Sequence, residues 1–151
     1  FYSSVGWYNS ENNTRIILGF FFLIWANDTL AYLVGIAIGK NKLFERISPK
    51  KTWEGFFGGL IFSLLISFVL TELLSMKWNY NFSVFLGILL YLGGVCGDLF
   101  ESSLKRMASV KDSSGMIPGI GGVLDTMDSL LVNAPLFYFI VNFYKKYEGL
   151  L

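Results

Sequence analysis

The chain contains no histidine and a single cysteine. Without histidine it lacks the commonest general base near neutral pH, histidine-ligated zinc, and any Ser-His triad. A lone Cys96 excludes an internal disulfide and a cysteine metal cluster. Set in an apolar run, it reads as a small buried side chain. Charge is scarce as well. Asp, Glu, Lys and Arg make up 15% of the 151 residues, where a soluble domain carries about 25%. The net charge of +1 gives no bulk attraction to nucleic acid, so no nucleic-acid partner is expected.

What the chain has in quantity is grease. It is 54% hydrophobic and 18% aromatic, with fifteen Phe, and its mean hydropathy is +0.54. So little polar surface cannot keep a single domain of this length in water. The composition therefore predicts an all-α, polytopic transmembrane helix bundle. Four apolar runs, about 16–38, 55–75, 82–100 and 130–144, approach the ~20 residues a spanning helix needs. The third should continue as helix to Arg106. The last is short and carries Pro135, which is expected to kink it.

Two polar loops, 40–54 and 101–128, separate the runs. They hold five and three of the twelve basic residues, so the positive-inside rule places both in the cytoplasm. Lys77 then lies outside, and with four spans so do Lys145 and Lys146. The opening FYSSVGWYNSENNT lacks a start methionine and a basic leader, and reads as a loop between spans of a longer chain. Gly35/Gly39, Gly55/Gly59 and Gly93/Gly97 are spaced four apart, which lets helix backbones approach closely.

Against this background the stretch KDSSGMIPGIGGVLDTMDSL, 111–130, is out of place. It sets Asp112, Asp125 and Asp128 beside an apolar run. Asp125 and Asp128 share a face if a helix starts near Gly122. The side-chain-poor Gly119, Gly121 and Gly122 before them would let backbone N–H groups approach a phosphate. Upstream, Asp98 closes the third run and is followed by Ser102, Lys105 and Arg106. Carboxylates without His or Cys suit a hard cation such as Mg2+, and Mg2+ beside Lys and Arg suits a phosphate. Taken singly, each charge could equally be a solvated surface ion pair.

Two more segments carry polar chemistry. In SPKKTWEG, Ser48 or Thr52 could cap the following helix. Lys50 and Lys51 serve equally as a topology signal or as headgroup and ligand contacts, and Trp53 reads as an interfacial anchor. Within the first run, Asn27, Asp28 and Thr29 mark either a functional site or helix-to-helix hydrogen bonds.

Together these segments resemble the phosphatidate cytidylyltransferase family. Its long signature is matched in register by Ser102, Lys105, Arg106, Lys111, Asp112, Ser114, Ile117, Pro118, Gly119, Gly121, Gly122, Asp125 and Asp128. Further family blocks match at 27–40, at 47–55 and at Gly97, Asp98 and Leu99. The resemblance runs from Asn27 to about Ser129, some two thirds of the chain. It departs from the family at Ile120, where the family has histidine, and at Thr126, where it has arginine. The first departure removes a donor to phosphate and the second a cation near the metal.

The resemblance implies that 1–151 is the C-terminal transmembrane catalytic portion of such an enzyme, in a bacterial inner membrane with its site facing the cytoplasm. It implies transfer of CMP from CTP to phosphatidate, giving CDP-diacylglycerol and pyrophosphate. Mg2+ would be held by Asp98, Asp125 and Asp128. A second, monovalent cation and a homodimer are both compatible with it. Lys105, Arg106 and Lys111 would meet the triphosphate, with Asp112 orienting one of them. Ser48, Lys50, Lys51, Thr52 and Ser102 would bind substrate, and Asn27 and Asp28 would line the cavity floor. The alternatives are a cytidylyltransferase acting on another lipid phosphate, of isoprenoid or archaeal type, and a non-enzymatic transporter with Asp28 and Asp98 as an ion relay.

Overall fold

The computed structural model describes residues 11–45, 47–74, 79–107 and 123–147, with the backbone alone at 11–13, 123–128 and 145. Four long helices dominate: α1 (Glu11–Ile38), α2 (Trp53–Leu73), α3 (Tyr80–Met107) and α4 (Val123–Tyr147). Three of them, through Thr14–Ile38, Trp53–Leu73 and Tyr80–Met107, are long and apolar enough to cross a membrane. In α4 the apolar portion is the shorter Ser129–Tyr144. The chain is an all-α, polytopic membrane protein. As expected, α3 continues beyond its apolar run, and α4 continues as helix through Pro135 instead of ending there.

The polar segment 40–54, which reads as a loop, forms an antiparallel hairpin of β1 (Lys42–Phe44) and β2 (Ser48–Thr52). Lys42 lies opposite Thr52 and Phe44 opposite Ser48, with a shift of register between the two pairs. Proline in SPKKT argues for a loop, but Pro49 is tolerable in a two-stranded ribbon, where every strand is an edge. Tertiary contacts close the hairpin's base. Asn41 donates its Nδ2 to Glu54 Oε1 at 2.8 Å, and Trp53 N donates to Asn41 O at 3.0 Å. The exit of α1 is thereby tied to the start of α2. Thr52 is the N-cap of α2, its hydroxyl accepting from Gly55 N at 3.1 Å, while Ser48 lies out on β2.

The bundle packs by two different means. At one end, Ile16, Phe20, Leu23 and Ile24 of α1 meet Leu70, Leu86, Leu90, Phe137 and Val141 in a buried apolar cluster. Phe20 stacks on Phe137 with ring centroids 4.4 Å apart. Toward the other end, small residues take over. The buried face of α2 reads Gly55, Gly59, Ser63, Ser67, Thr71, one residue every turn. A Cβ at Gly55 would come 2.8 Å from Ala31 O and 3.1 Å from Gly35 Cα, so α1 and α2 touch backbone to backbone there.

Hydroxyls in this layer are used internally. Ser63 Oγ donates to Gly87 O across to α3 at 2.8 Å, and Ser67 and Thr71 donate back along α2 to Ser63 O and Ser67 O. Asn133 Nδ2 reaches Leu90 O at 3.0 Å, joining α4 to α3. Cross-helix bonds of this kind contribute about 0.6 kcal/mol each in membrane proteins. Cys96 departs from the sequence reading. It is exposed on α3, because the face of that helix turned inward carries Tyr91, Gly94, Gly97 and Glu101 instead.

Candidate active site

The end of α1, the hairpin, the start of α2, the end of α3 and the start of α4 meet at one end of the bundle. Residues of α1, the hairpin, α2 and α3 enclose a cavity of about 580 Å³. Asp28, Tyr32, Ser48, Lys50, Lys51, Thr52, Tyr91 and Asp98 line it, together with Lys42 from β1. The glycines Gly35, Gly39 and Gly55 keep its wall thin.

At its heart is a charged cluster drawn from four elements. Lys51 Nζ lies 2.6 Å from Asp98 Oδ2, and the two side chains are 26% and 27% exposed. The Ser129 hydroxyl lies 2.9 Å from Asp98 Oδ1 and 3.3 Å from Asp28 Oδ2. Asp28 and Asp98 thus share one hydroxyl, although 70 positions separate them along the chain. On the opposite wall, Tyr91 donates its hydroxyl to Phe56 O at 2.7 Å, which fixes the ring against the first turn of α2. Two carboxylates and one ammonium leave this described cluster one negative charge in excess. In a membrane protein such an excess calls for a proton or a cation.

The predicted site residues divide three ways. Asp28, Ser48, Lys50, Lys51, Thr52 and Asp98 come together around the cavity. Asn27 does not. It is buried between α1 and α2, where Nδ2 donates to Ser63 Oγ at 3.2 Å, so the helix-to-helix role is the one it fills and the cavity floor is left to Asp28. Ser102, Lys105 and Arg106 also stand off the cavity lining. Because α3 stays helical through Met107, Lys105 falls on the face of Asp98 but two turns on, about 10 Å along the axis. Lys105 there lies 3.4 Å from buried Glu101.

The remaining calls fall where nothing is described. Lys111, Asp112, Gly119, Ile120, Gly121 and Gly122 lie outside the described residues, as do the side chains of Asp125, Thr126 and Asp128, whose backbone forms the first two turns of α4. Among the described residues no three acidic, cysteine or histidine side chains converge as a metal site.

Ser129, Tyr91 and Lys42 were not singled out from the sequence. The available signal for Ser129 was its place directly after the D-x-x-D pair, on the helix that brings both aspartates in.

Comparison with known proteins bears on this arrangement. The family model described as the cytidylyltransferase family matches residues 2–144. The chain belongs to the cytidylyltransferase family. A phosphatidate cytidylyltransferase of Staphylococcus epidermidis is 43% identical over 122 residues, which is 81% of this chain and 47% of the relative. One from Bacillus subtilis is 40% identical over 123 residues, 82% of this chain and 46% of the relative. One from Aquifex aeolicus is 43% identical over 131 residues, 87% of this chain and 49% of the relative. The chain therefore spans about half the length of the curated relatives it matches. Asp28, Lys51 and Asp98 line one cavity, and the Ser129 hydroxyl meets both aspartates from α4.

Proposed function

We propose that this chain carries the catalytic end of a phosphatidate cytidylyltransferase, transferring CMP from CTP to phosphatidate with release of pyrophosphate. The observation that carries the reading is the cluster of Lys51, Asp98, Asp28 and Ser129 in a cavity walled by lysines, in a chain of the cytidylyltransferase family.

The chemistry asks little of a general base. The attacking group is a phosphate oxygen of phosphatidate, already ionised at neutral pH. It forms a bond to the α-phosphorus of CTP as the bond to the β-phosphate oxygen breaks, and pyrophosphate departs. The obstacle is repulsion between two anions, so positioning and charge neutralisation do most of the work. Lys42, Lys50 and Lys51 supply positive charge on the hairpin side. Lys51, held on Asp98, is oriented before substrate arrives. Tyr32 and Tyr91 give the cavity an amphipathic wall suited to a headgroup that stays joined to its lipid.

An all-oxygen donor set with one uncompensated negative charge fits Mg2+, with Asp98, Asp125 and Asp128 as its holders. When bound, Mg2+ would supply neutralisation of phosphate charge. The site would face the cytoplasm, where CTP is found and where the basic loops are expected.

The test is incorporation of radiolabelled CTP by the full-length protein in detergent with phosphatidate, with and without Mg2+. The expected result is Mg2+-dependent CDP-diacylglycerol with one pyrophosphate per lipid. No pyrophosphate from CTP would overturn the reading and favour a transporter. Product only with an isoprenoid phosphate would keep the nucleotidyl transfer and change the acceptor.

A further inference from the structure

We propose that Ser129 is a positioning residue for the cation site: its hydroxyl orients Asp98, the carboxylate that α3 delivers to that site, and keeps Asp28 of α1 beside it. The inference rests on the cation reading above and adds a residue to it.

The geometry is that of a clasp. Ser129 is buried on α4, and its Oγ stands 2.9 Å from an oxygen of Asp98 and 3.3 Å from an oxygen of Asp28. One hydroxyl proton cannot make two full hydrogen bonds, so it is donated chiefly to the nearer Asp98 and shared with Asp28. Lys51 holds the other oxygen of Asp98 at 2.6 Å, so this carboxylate is fixed at both ends while Asp28 is held mainly through Ser129.

Two like charges are thus kept together by a neutral group, and the pair's charge is only half compensated. That leaves a demand for a cation instead of quenching it. A lysine in place of the serine would satisfy both carboxylates and remove the demand. With no hydroxyl, Asp28 and Asp98 would repel each other and separate, and Asp98 would lose the orientation in which its oxygens are offered to a cation. Packing of α4 on α3 does not depend on this contact, because Asn133 Nδ2 bonds Leu90 O one turn further along.

The experiment is a Mn2+ titration of the purified full-length protein in detergent without nucleotide, followed by the electron paramagnetic resonance of free Mn2+. Ser129→Ala is expected to bind Mn2+ about tenfold more weakly, the usual scale for losing a group that orients a metal ligand. Its helical content by circular dichroism should stay at the wild-type value, so that the loss reads the site and not the fold. Ser129→Thr, which keeps the hydroxyl, should restore binding. An Ala variant with wild-type Mn2+ affinity, or a Thr variant as weak as the Ala variant, overturns the inference alone. Wild-type protein that binds no Mn2+ overturns the cation reading, and this inference with it.

Discussion

The two ends of the bundle are built on opposite plans. At one end Phe20, Leu90, Phe137 and Val141 fill space chiefly with large apolar side chains. At the other, Gly35, Gly55 and Gly59 remove side chains, so that backbones close up and a few polar groups can be set at fixed separations. Between them lies a belt of hydroxyls and amides, Asn27, Ser63 and Asn133, that spend their hydrogen bonds on neighbouring helices. Stability is concentrated where the chain is bulky, and chemistry where it is lean. A cavity of about 580 Å³ can open among charged groups because the apolar end and the belt hold the helices without it.

That division can be tested by substitutions ranked by expected effect. Asp98→Asn keeps the shape and the Ser129 contact but removes the charge opposite Lys51. It should lower the rate of CTP incorporation about 10³-fold, some 4 kcal/mol of barrier, with the melting temperature unchanged. A large loss of stability instead would make Asp98 a structural group. Phe137→Ala acts on the other plan. It should destabilise by about 3 kcal/mol in a reversible unfolding assay, while the KM values of the folded fraction stay put.

Gly59→Ala lies at the boundary of the two. Its new Cβ would come 2.6 Å from Tyr91 Oη and 2.7 Å from Ala31 Cβ, so about 2 kcal/mol of stability should be lost to overpacking. The KM for lipid should rise too, as Tyr91 is pushed off Phe56 O. Thr52→Ala removes the cap of α2 and should cost about 1 kcal/mol, read as a lower melting temperature. Cys96→Ser, exposed on α3, should change stability by no more than about 0.5 kcal/mol and leave activity intact. An effect on either would mean that face is covered.

How far the sequence carried depended on the kind of question. The helices fell close to the apolar runs, and Thr52 caps α2 as its place before Trp53, Glu54 and Gly55 suggested. Asp98 was legible as a group in need of a partner, because a charge beside an apolar run is costly alone, and Lys51, which read equally as a topology signal or a ligand contact, is the group that meets it. The hairpin was not legible. SPKKT has a proline and too few β-formers for a strand, and its pairing depends on Asn41 meeting Glu54 after α1 and α2 have packed. Nor were the inward turn of Asn27 and the outward turn of Cys96. In a membrane helix the lipid-facing and buried faces are both apolar, so periodicity does not mark the inside.

The sequence alone determined how deep each polar group lies. Helical rise is fixed at 1.5 Å per residue, so the positions of Asp28 and Asp98 along their runs set their height at one end of the bundle. Which groups meet at that height was decided only by the tertiary structure. The rotation of each helix about its axis follows from how Gly35, Gly55 and Gly59 let the backbones close, and with it Asp28 and Asp98 turn toward Ser129 and Asn27 away from them.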